Sequence, residues 1–218
     1  MSNSLKRVSI ALVAAYAFAY AATGAWVVHG TPAIAESALN SAGGIDWTKA
    51  AIAAVVAVAA MALNGVVDHG TKTSIVYLTR RYPEPGTRVF SALISGDPRI
   101  DPVRVRALVG GELPNDPAEQ NRVWYRLYRA NESDPSVRQT HFEWLLFRDL
   151  TWVSIVLGCL GCILVYSAMP TARMATLYAS ASVGITIVFC IVARARGNAF
   201  VRTVVAVASA GVEPAAKG

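Results

Sequence analysis

The fold is decided by residues 150–193, which read LTWVSIVLGCLGCILVYSAM (150–169), PTAR (170–173) and MATLYASASVGITIVFCIVA (174–193). Neither long run contains Lys, Arg, Asp or Glu, and each is apolar all round. A membrane-spanning helix needs about 20 mostly apolar residues, whereas a surface helix of a soluble protein needs only an apolar stripe. The stretch therefore predicts two spans that form a tight antiparallel hairpin around Pro170.

Two further uncharged apolar runs lie nearer the N terminus, at 8–28 and 50–67. The whole chain is 54% hydrophobic and only 16% charged, with a mean hydropathy of +0.42. Soluble domains carry about 25% charged residues. The composition excludes a secreted disulfide scaffold, a disordered chain and an ordinary cytosolic enzyme. It predicts an all-α polytopic membrane protein with four transmembrane helices and a mainly helical cytosolic domain between spans two and three.

The basic residues predict the orientation of these spans. If the N terminus is cytosolic, all but Lys49 and Arg173 of the 20 Lys and Arg residues lie inside, which accounts for much of the net charge of +6. Such a bias marks the cytoplasmic side, so we expect an inner-membrane protein with both termini in the cytoplasm. The predicted parts are an N-terminal transmembrane hairpin, a helical cytosolic domain, a C-terminal transmembrane hairpin and a cytosolic tail, at 1–68, 69–149, 150–194 and 195–218.

The first apolar run has an alternative interpretation. Lys6 and Arg7, the run itself and Ala33-Ile34-Ala35 also imitate a secretory signal with its cleavage site. Signal h-regions are about 7 to 15 residues long, and the run at 8–28 is longer, which favours a retained helix. Cleavage would leave three spans.

Asp-Pro pairs punctuate the central segment and mark helix starts. Asp is a favoured N-cap and Pro a favoured first helical residue. Of the four pairs, those at Asp101, Asp116 and Asp134 predict helices. The first is expected to end at Gly110-Gly111, the second near Asn131, and the third to continue unbroken into the third span.

The predicted Asp116 helix carries two different faces. Trp124, Leu127 and Tyr128 share an apolar face, which is expected to pack on the helix that follows. A second face is basic, and it is either solvated beside lipid headgroups or docks an acidic protein, a phosphate ligand or nucleic acid. The candidate partner- or anion-binding residues are Arg122, Arg126, Arg129, Trp124 and Tyr128.

Small residues recur at helical spacing in spans two and four, together with a few polar ones. Helices in lipid associate through close backbone approach and interhelical hydrogen bonds. The stripes therefore predict helix packing within one bundle or in a homo-oligomer, where they could instead line a pore. The candidate residues are Asn64, Ala57, Ala60, Ala179, Ser182 and Thr186.

No sequence motif indicates catalysis. Phosphate-binding loops, zinc-protease motifs and hydrolase elbows are absent from the sequence. Cys159 and Cys162 form a C-x-x-C inside an apolar run without a second ligand pair, which does not predict a metal site. We therefore expect no catalytic residue, no metal and no cofactor.

The organisation resembles small four-span accessory, sensor and effector proteins of bacterial defence and exclusion systems, and the resemblance covers topology alone. Our preferred hypothesis is a non-enzymatic membrane protein that oligomerises and presents its basic module to a cytosolic protein partner. Two alternatives stay open: a pore-forming channel or permease, and a membrane-anchored sensor of nucleotides or nucleic acid. Nucleic acid is the less expected partner, because the basic residues also serve orientation and contact with anionic lipid.

Overall fold

A computed structural model describes residues 3–29, 47–168 and 172–211 of the chain. It is all-helical, with 83% helix and no strand in the part described. This confirms the predicted all-α class. The signal-like residues Ala33–Ala35, the turn at Pro170 and the end of the predicted tail, 212–218, lie outside the described residues.

In the part of the chain that the structure describes, the short helices lie between two long helices on the N-terminal side and the two longest helices on the C-terminal side. A 3-10 turn at Pro85–Arg88 leads directly into a π-helical turn at Val89–Leu93. The α-helices are α1 (Asn3–His29), α2 (Trp47–Val66), α3 (His69–Tyr77), α4 (Pro102–Val109), α5 (Pro117–Asn131), α6 (Pro135–Ala168) and α7 (Ala172–Ala210).

Two helices of the described chain are long and apolar enough to cross a membrane, Pro135–Ile163 within α6 and Ala175–Ala210 within α7. A third span results if Ala54–Val66 and His69–Tyr77 form one broken span. The segment Arg7–Tyr20 of α1 is a shorter apolar helix. The described residues therefore contain two or three candidate membrane spans, and the predicted count of four is not confirmed.

The Asp-Pro helix starts are confirmed. The Asp101 carboxylate accepts from the Val103 amide at 2.8 Å, and Asp116 accepts from the Glu119 amide at 3.0 Å. Asp134 accepts from the first amides of α6 in the same way. These carboxylates satisfy backbone N–H groups that have no partner within the helix. At the other end of α4, Gly110 takes the left-handed conformation, with φ 86°.

The last two helices run further than a single span requires. Helix α6 continues for 34 residues without a break, as predicted. Helix α7 extends to Ala210, beyond the predicted end of span four at 193. Residues 195–210 of the predicted tail are thus helical, because their apolar side chains, Val201 and Val204 among them, are buried in a core.

The described chain divides into two compact units. We call the first the module; it comprises 3–6, 69–148 and 191–211. The second, the apolar unit, comprises 7–29, 47–68, 149–168 and 172–190. The module has its own hydrophobic core, to which its short helices, the first part of α6 and the last part of α7 all contribute.

Helix α3 ends in an unusual way at Leu78. The Thr79 amide donates to the Ser74 carbonyl at 3.1 Å, and the Leu78 amide donates to the Ile75 carbonyl at 3.4 Å. This is the Schellman motif, whose left-handed residue is usually glycine. Here that residue is Leu78, with φ 55°. A leucine in this conformation costs about 1–2 kcal/mol.

Candidate functional site: the arginine face of α5

Helix α5 is anchored by a buried glutamine that the sequence analysis did not single out. Gln120 is 1% exposed, and its carboxamide oxygen accepts from the backbone amides of Phe90 and Ser91 at 3.0 and 3.2 Å. Its carboxamide nitrogen donates to the Asn115 carbonyl at 3.0 Å. The side chain thereby satisfies backbone groups of the π-helical turn that the turn itself leaves open, and it fixes α5 against that turn.

A glycine allows the neighbouring 3-10 turn to approach α5 closely. A Cβ atom at Gly86 would lie 2.4 Å from Asn121 Oδ1 and 2.8 Å from Trp124 Cε3. Neither separation is compatible with a real side chain. Gly86 therefore permits the contact that holds the inner side of α5.

The apolar face of α5 is inside the module. Trp124 is 8% exposed, and its indole N–H donates to the Val201 carbonyl at 3.3 Å. Its ring stacks on Tyr128 at 5.7 Å and meets Phe200 edge-on at 5.4 Å. The Tyr128 hydroxyl lies 3.2 Å from Nδ1 of His141, and burial raises the pKa of Tyr128.

The apolar face packs on two helices, of which we expected only one. The expected partner, α6, supplies His141 to the aromatic cluster, and α7 adds Phe200 and Val201. The sequence could not indicate α7, because that helix lies far along the chain and its apolar residues also suit lipid. Trp124 and Tyr128 hold α5 in place and are not part of its outer surface.

The three candidate arginines lie on the outer side of α5. Arg122, Arg126 and Arg129 are all exposed. Arg129 pairs with Glu132 at 2.9 Å. Arg122 and Arg126 form neither an ion pair nor a side-chain hydrogen bond with any residue that the structure describes. A guanidinium presents a rigid fork of donors that matches carboxylate and phosphate groups, so these side chains have the chemistry that an anion-binding surface requires.

An exposed tyrosine on this face was missed by the sequence analysis. Tyr125 is 52% exposed, and its ring centroid lies 6.0 Å from that of Tyr128. It stands three residues after Arg122 and four before Arg129, so helical spacing alone would have placed it there. The arginine face therefore consists of Arg122, Tyr125, Arg126 and Arg129.

A second charged cluster of the module is internally paired. Arg99 Nη2 lies 2.8 Å from Asp97 Oδ2, and Arg202 Nε lies 3.9 Å from the same oxygen. The hydrogen bond from Arg99 lowers the pKa of Asp97 to about 2 and raises that of Arg99. This cluster ties the loop before α4 to α7 and places two guanidinium groups beside one carboxylate.

The candidate residues of span two are packed within the apolar unit. Ala57 is 7% exposed and Ala60 is fully buried. Asn64 is half-buried.

The candidate residues of span four are partly engaged in hydrogen bonds. The Ser182 hydroxyl accepts from Tyr20 of α1 at 2.5 Å and donates to the Tyr178 carbonyl at 2.8 Å. Thr186 donates to the Ser182 carbonyl at 2.9 Å, one helical turn back. Both residues line an apolar groove of about 310 Å³, together with the half-buried Ala179. The tyrosine contact from α1 was not foreseen.

The cysteines are free thiols. Within the ranges that the structure describes, no group of three or more His, Cys, Asp or Glu side chains is arranged to hold a metal ion.

Comparison with known proteins identifies no relative. No family model matches the sequence, and no curated protein and no solved structure matches it.

Proposed function

We propose that this chain is a non-enzymatic inner-membrane protein whose module binds an acidic protein partner through the arginine face of α5. The observation that carries the proposal is the contrast between the two sides of this helix. Trp124 and Gln120 are buried in satisfied contacts, while Arg122 and Arg126 project outward and form no ion pair with a described residue.

The contacts that hold α5 in place favour a binding role for its exposed arginines over a role in solubility alone. Gln120, Trp124 and Tyr128 each form a contact that restrains the helix from its inner side. A rigid support lowers the entropic cost of binding, because little has to be ordered when the partner arrives. The partner we assign is a protein with a carboxylate-rich surface, with Tyr125 contributing apolar contact area.

We further propose four spans with both termini in the cytoplasm. Helices α6 and α7 supply two spans, and the apolar stretches of α1 and α2 supply the others. This count puts the arginine face on the cytoplasmic side together with all but Lys49 and Arg173 of the basic residues.

Helix packing is the role that we assign to the polar residues of span four. The hydroxyls of Ser182 and Thr186 donate to carbonyls of their own helix, and Ser182 also accepts from Tyr20. A hydroxyl that already donates its proton to a carbonyl of its own helix has no proton left to donate to water in a pore. We propose that the small residues beside them, Ala179 included, also support a homo-oligomer.

Photo-crosslinking of the full chain in its native membrane tests the partner. The variant Arg126→benzoylphenylalanine is expected to capture an acidic protein, which mass spectrometry identifies. Adding Arg122→Gln and Arg129→Gln should lower the yield by roughly tenfold. The matched pair Arg104→Gln and Arg106→Gln removes the same charge elsewhere in the module and should leave the yield unchanged.

The outcome of this experiment also separates the alternatives. Adducts with RNA or with phospholipid would contradict an acidic protein partner, and so would equal protein adducts from a probe at Arg104. A yield that is insensitive to the arginine pair would exclude the arginine face as the contact.

A further inference from the structure

The segment Leu78–Tyr82, directly after α3, combines exposed apolar and basic side chains. Leu78 is 78% exposed and Tyr82 is 42% exposed. Between them Arg80 and Arg81 are also exposed, and the Arg81 guanidinium lies 5.3 Å from the centroid of the Tyr82 ring. Neither arginine forms an ion pair with a residue that the structure describes. An exposed patch that combines apolar and aromatic side chains with two cations outside any described ion pair has no evident role inside the module.

The choice of leucine at position 78 does not stabilise the fold of the module. Its backbone is left-handed, a conformation in which glycine carries no steric penalty. Its side chain is also largely outside the core. Since neither the backbone nor burial favours leucine here, the side chain is available for a contact outside the module.

The segment is held in a defined shape. The Thr79 hydroxyl donates to the Arg81 carbonyl at 3.0 Å, and the Thr87 hydroxyl lies 2.7 Å from the Glu84 carbonyl and 3.2 Å from the Tyr82 carbonyl. The Schellman hydrogen bonds of α3 fix the other end, at Leu78. The four exposed side chains are therefore presented together and are not spread over a random loop.

We propose that the segment Leu78–Tyr82 is a membrane-surface anchor that binds anionic phospholipid headgroups. Leu78 and Tyr82 enter the boundary between headgroups and acyl chains, where amphipathic and aromatic side chains settle. Arg80 and Arg81 contact the phosphates of anionic lipids, which attract basic residues next to a membrane.

Chain connectivity and charge favour lipid over a protein partner. Helix α3 has nine residues and separates this segment from the apolar helix that ends at Val66. At about 1.5 Å per residue, α3 spans only about 14 Å. A segment tethered so closely to a candidate span lies within reach of the headgroups, and its two cations complement their charge.

Fluorescence quenching on the reconstituted full chain tests the anchor. In a background with Cys159, Cys162 and Cys190 changed to Ala, Leu78→Cys carries the environment-sensitive label NBD. The vesicles contain phosphatidylcholine alone or mixed with phosphatidylglycerol, each with a lipid that carries a nitroxide near the headgroup. We expect blue-shifted emission and strong quenching in the anionic vesicles, and weaker quenching in the neutral ones.

Two control series make the result specific. Val103→Cys labels another exposed aliphatic position of the module, 68% exposed, and should show water-like emission in both vesicles. Arg80→Gln with Arg81→Gln should lower the quenching at position 78 to its level in neutral vesicles. Arg80→Lys with Arg81→Lys keeps the charge and should restore it.

Three results would overturn the proposal. The first is water-like emission from position 78 in both kinds of vesicle. The second is equal quenching at positions 78 and 103. The third is blue-shifted emission from position 78 in native membranes but not in vesicles that contain only lipid and this chain. That result would assign the segment to a protein partner.

Discussion

The two parts of α7 have similar side chains and opposite surroundings. In the apolar unit, Val183 and Val188 are 58% and 57% exposed, and only 6% of the apolar window of α7 is buried. In the module, Val201 and Val204 of the same helix are fully buried. Valine occurs in both parts, so hydropathy records a preference for leaving water. Whether lipid or protein satisfies that preference depends on which neighbours the fold brings to each turn.

The largest expected effect concerns an aromatic ring in the module part of α7. Phe200→Ala should lower the free energy of unfolding of the module by about 3–5 kcal/mol. The reason is that the Phe200 ring contacts Trp124, Tyr128 and His141. Denaturant titration of the full chain in micelles, followed by tryptophan fluorescence, measures the change.

The control for this substitution lies on the other part of the helix. Ile187 is 53% exposed, so Ile187→Ala should change the same free energy by no more than about 0.5 kcal/mol. Equal losses from the two variants would mean that the two parts of α7 are not differently packed, and the comparison would fail.

A smaller effect is expected from two glycines of α7. A Cβ at Gly197 would lie 2.4 Å from the Tyr77 hydroxyl and 2.9 Å from Trp144 Cε3, whereas one at Gly184 would meet nothing within 4 Å. Gly197→Ala should therefore cost about 1–3 kcal/mol through overpacking. Gly184→Ala should be neutral, or stabilising by up to about 1 kcal/mol through helix propensity. Thermal unfolding followed by circular dichroism measures the stability of both variants. A loss of stability in Gly184→Ala but not in Gly197→Ala would contradict the placement of Gly197 in a packed part of α7 and of Gly184 in an open one.

The smallest effect is a pH dependence of the ion-paired cluster between Asp97, Arg99 and Arg202. The Arg99 hydrogen bond lowers the pKa of Asp97 from 3.8 to about 2 in the folded chain. The carboxylate therefore stabilises the folded state above about pH 4, and this contribution is lost as the pH falls towards 2. With solvent screening at the half-exposed arginine, it is on the order of 1 kcal/mol. Denaturant titrations across this range should show a shallower pH dependence for Asp97→Asn than for the unchanged chain.

The matched control is Glu112→Gln, which removes an exposed carboxylate of the same module. An identical pH dependence for Asp97→Asn and the unchanged chain would show that the pair contributes nothing to stability.

Local features of the fold were predictable from the sequence. Asp101, Asp116 and Asp134 begin helices because a carboxylate and a following proline act within one turn of the chain. The unbroken course of α6 also follows from its residues, which contain no glycine or proline breaker at the membrane border. The placement of Arg122, Arg126 and Arg129 on one face of α5 followed from helical spacing alone.

The inner side of the candidate site was not predictable in the same way. Trp124 bonds to Val201, which lies 77 residues further along the chain. Gln120 accepts from amides of a π-helical turn about 30 residues earlier. No local pattern distinguishes an aromatic residue that packs on such a distant segment from one that is exposed for binding. The sequence analysis therefore includes Trp124 and Tyr128 among the binding residues and omits Tyr125.

The sequence by itself determined the helices, their capped starts and the apolar stretches, because capping, helix propensity and hydropathy depend on near neighbours along the chain. The tertiary structure alone decided which apolar turns of α7 are buried in protein and which side of α5 presents its arginines. Burial depends on contacts between distant segments. The transfer of valine or tryptophan out of water is favourable in free energy whether the new surroundings are lipid or protein.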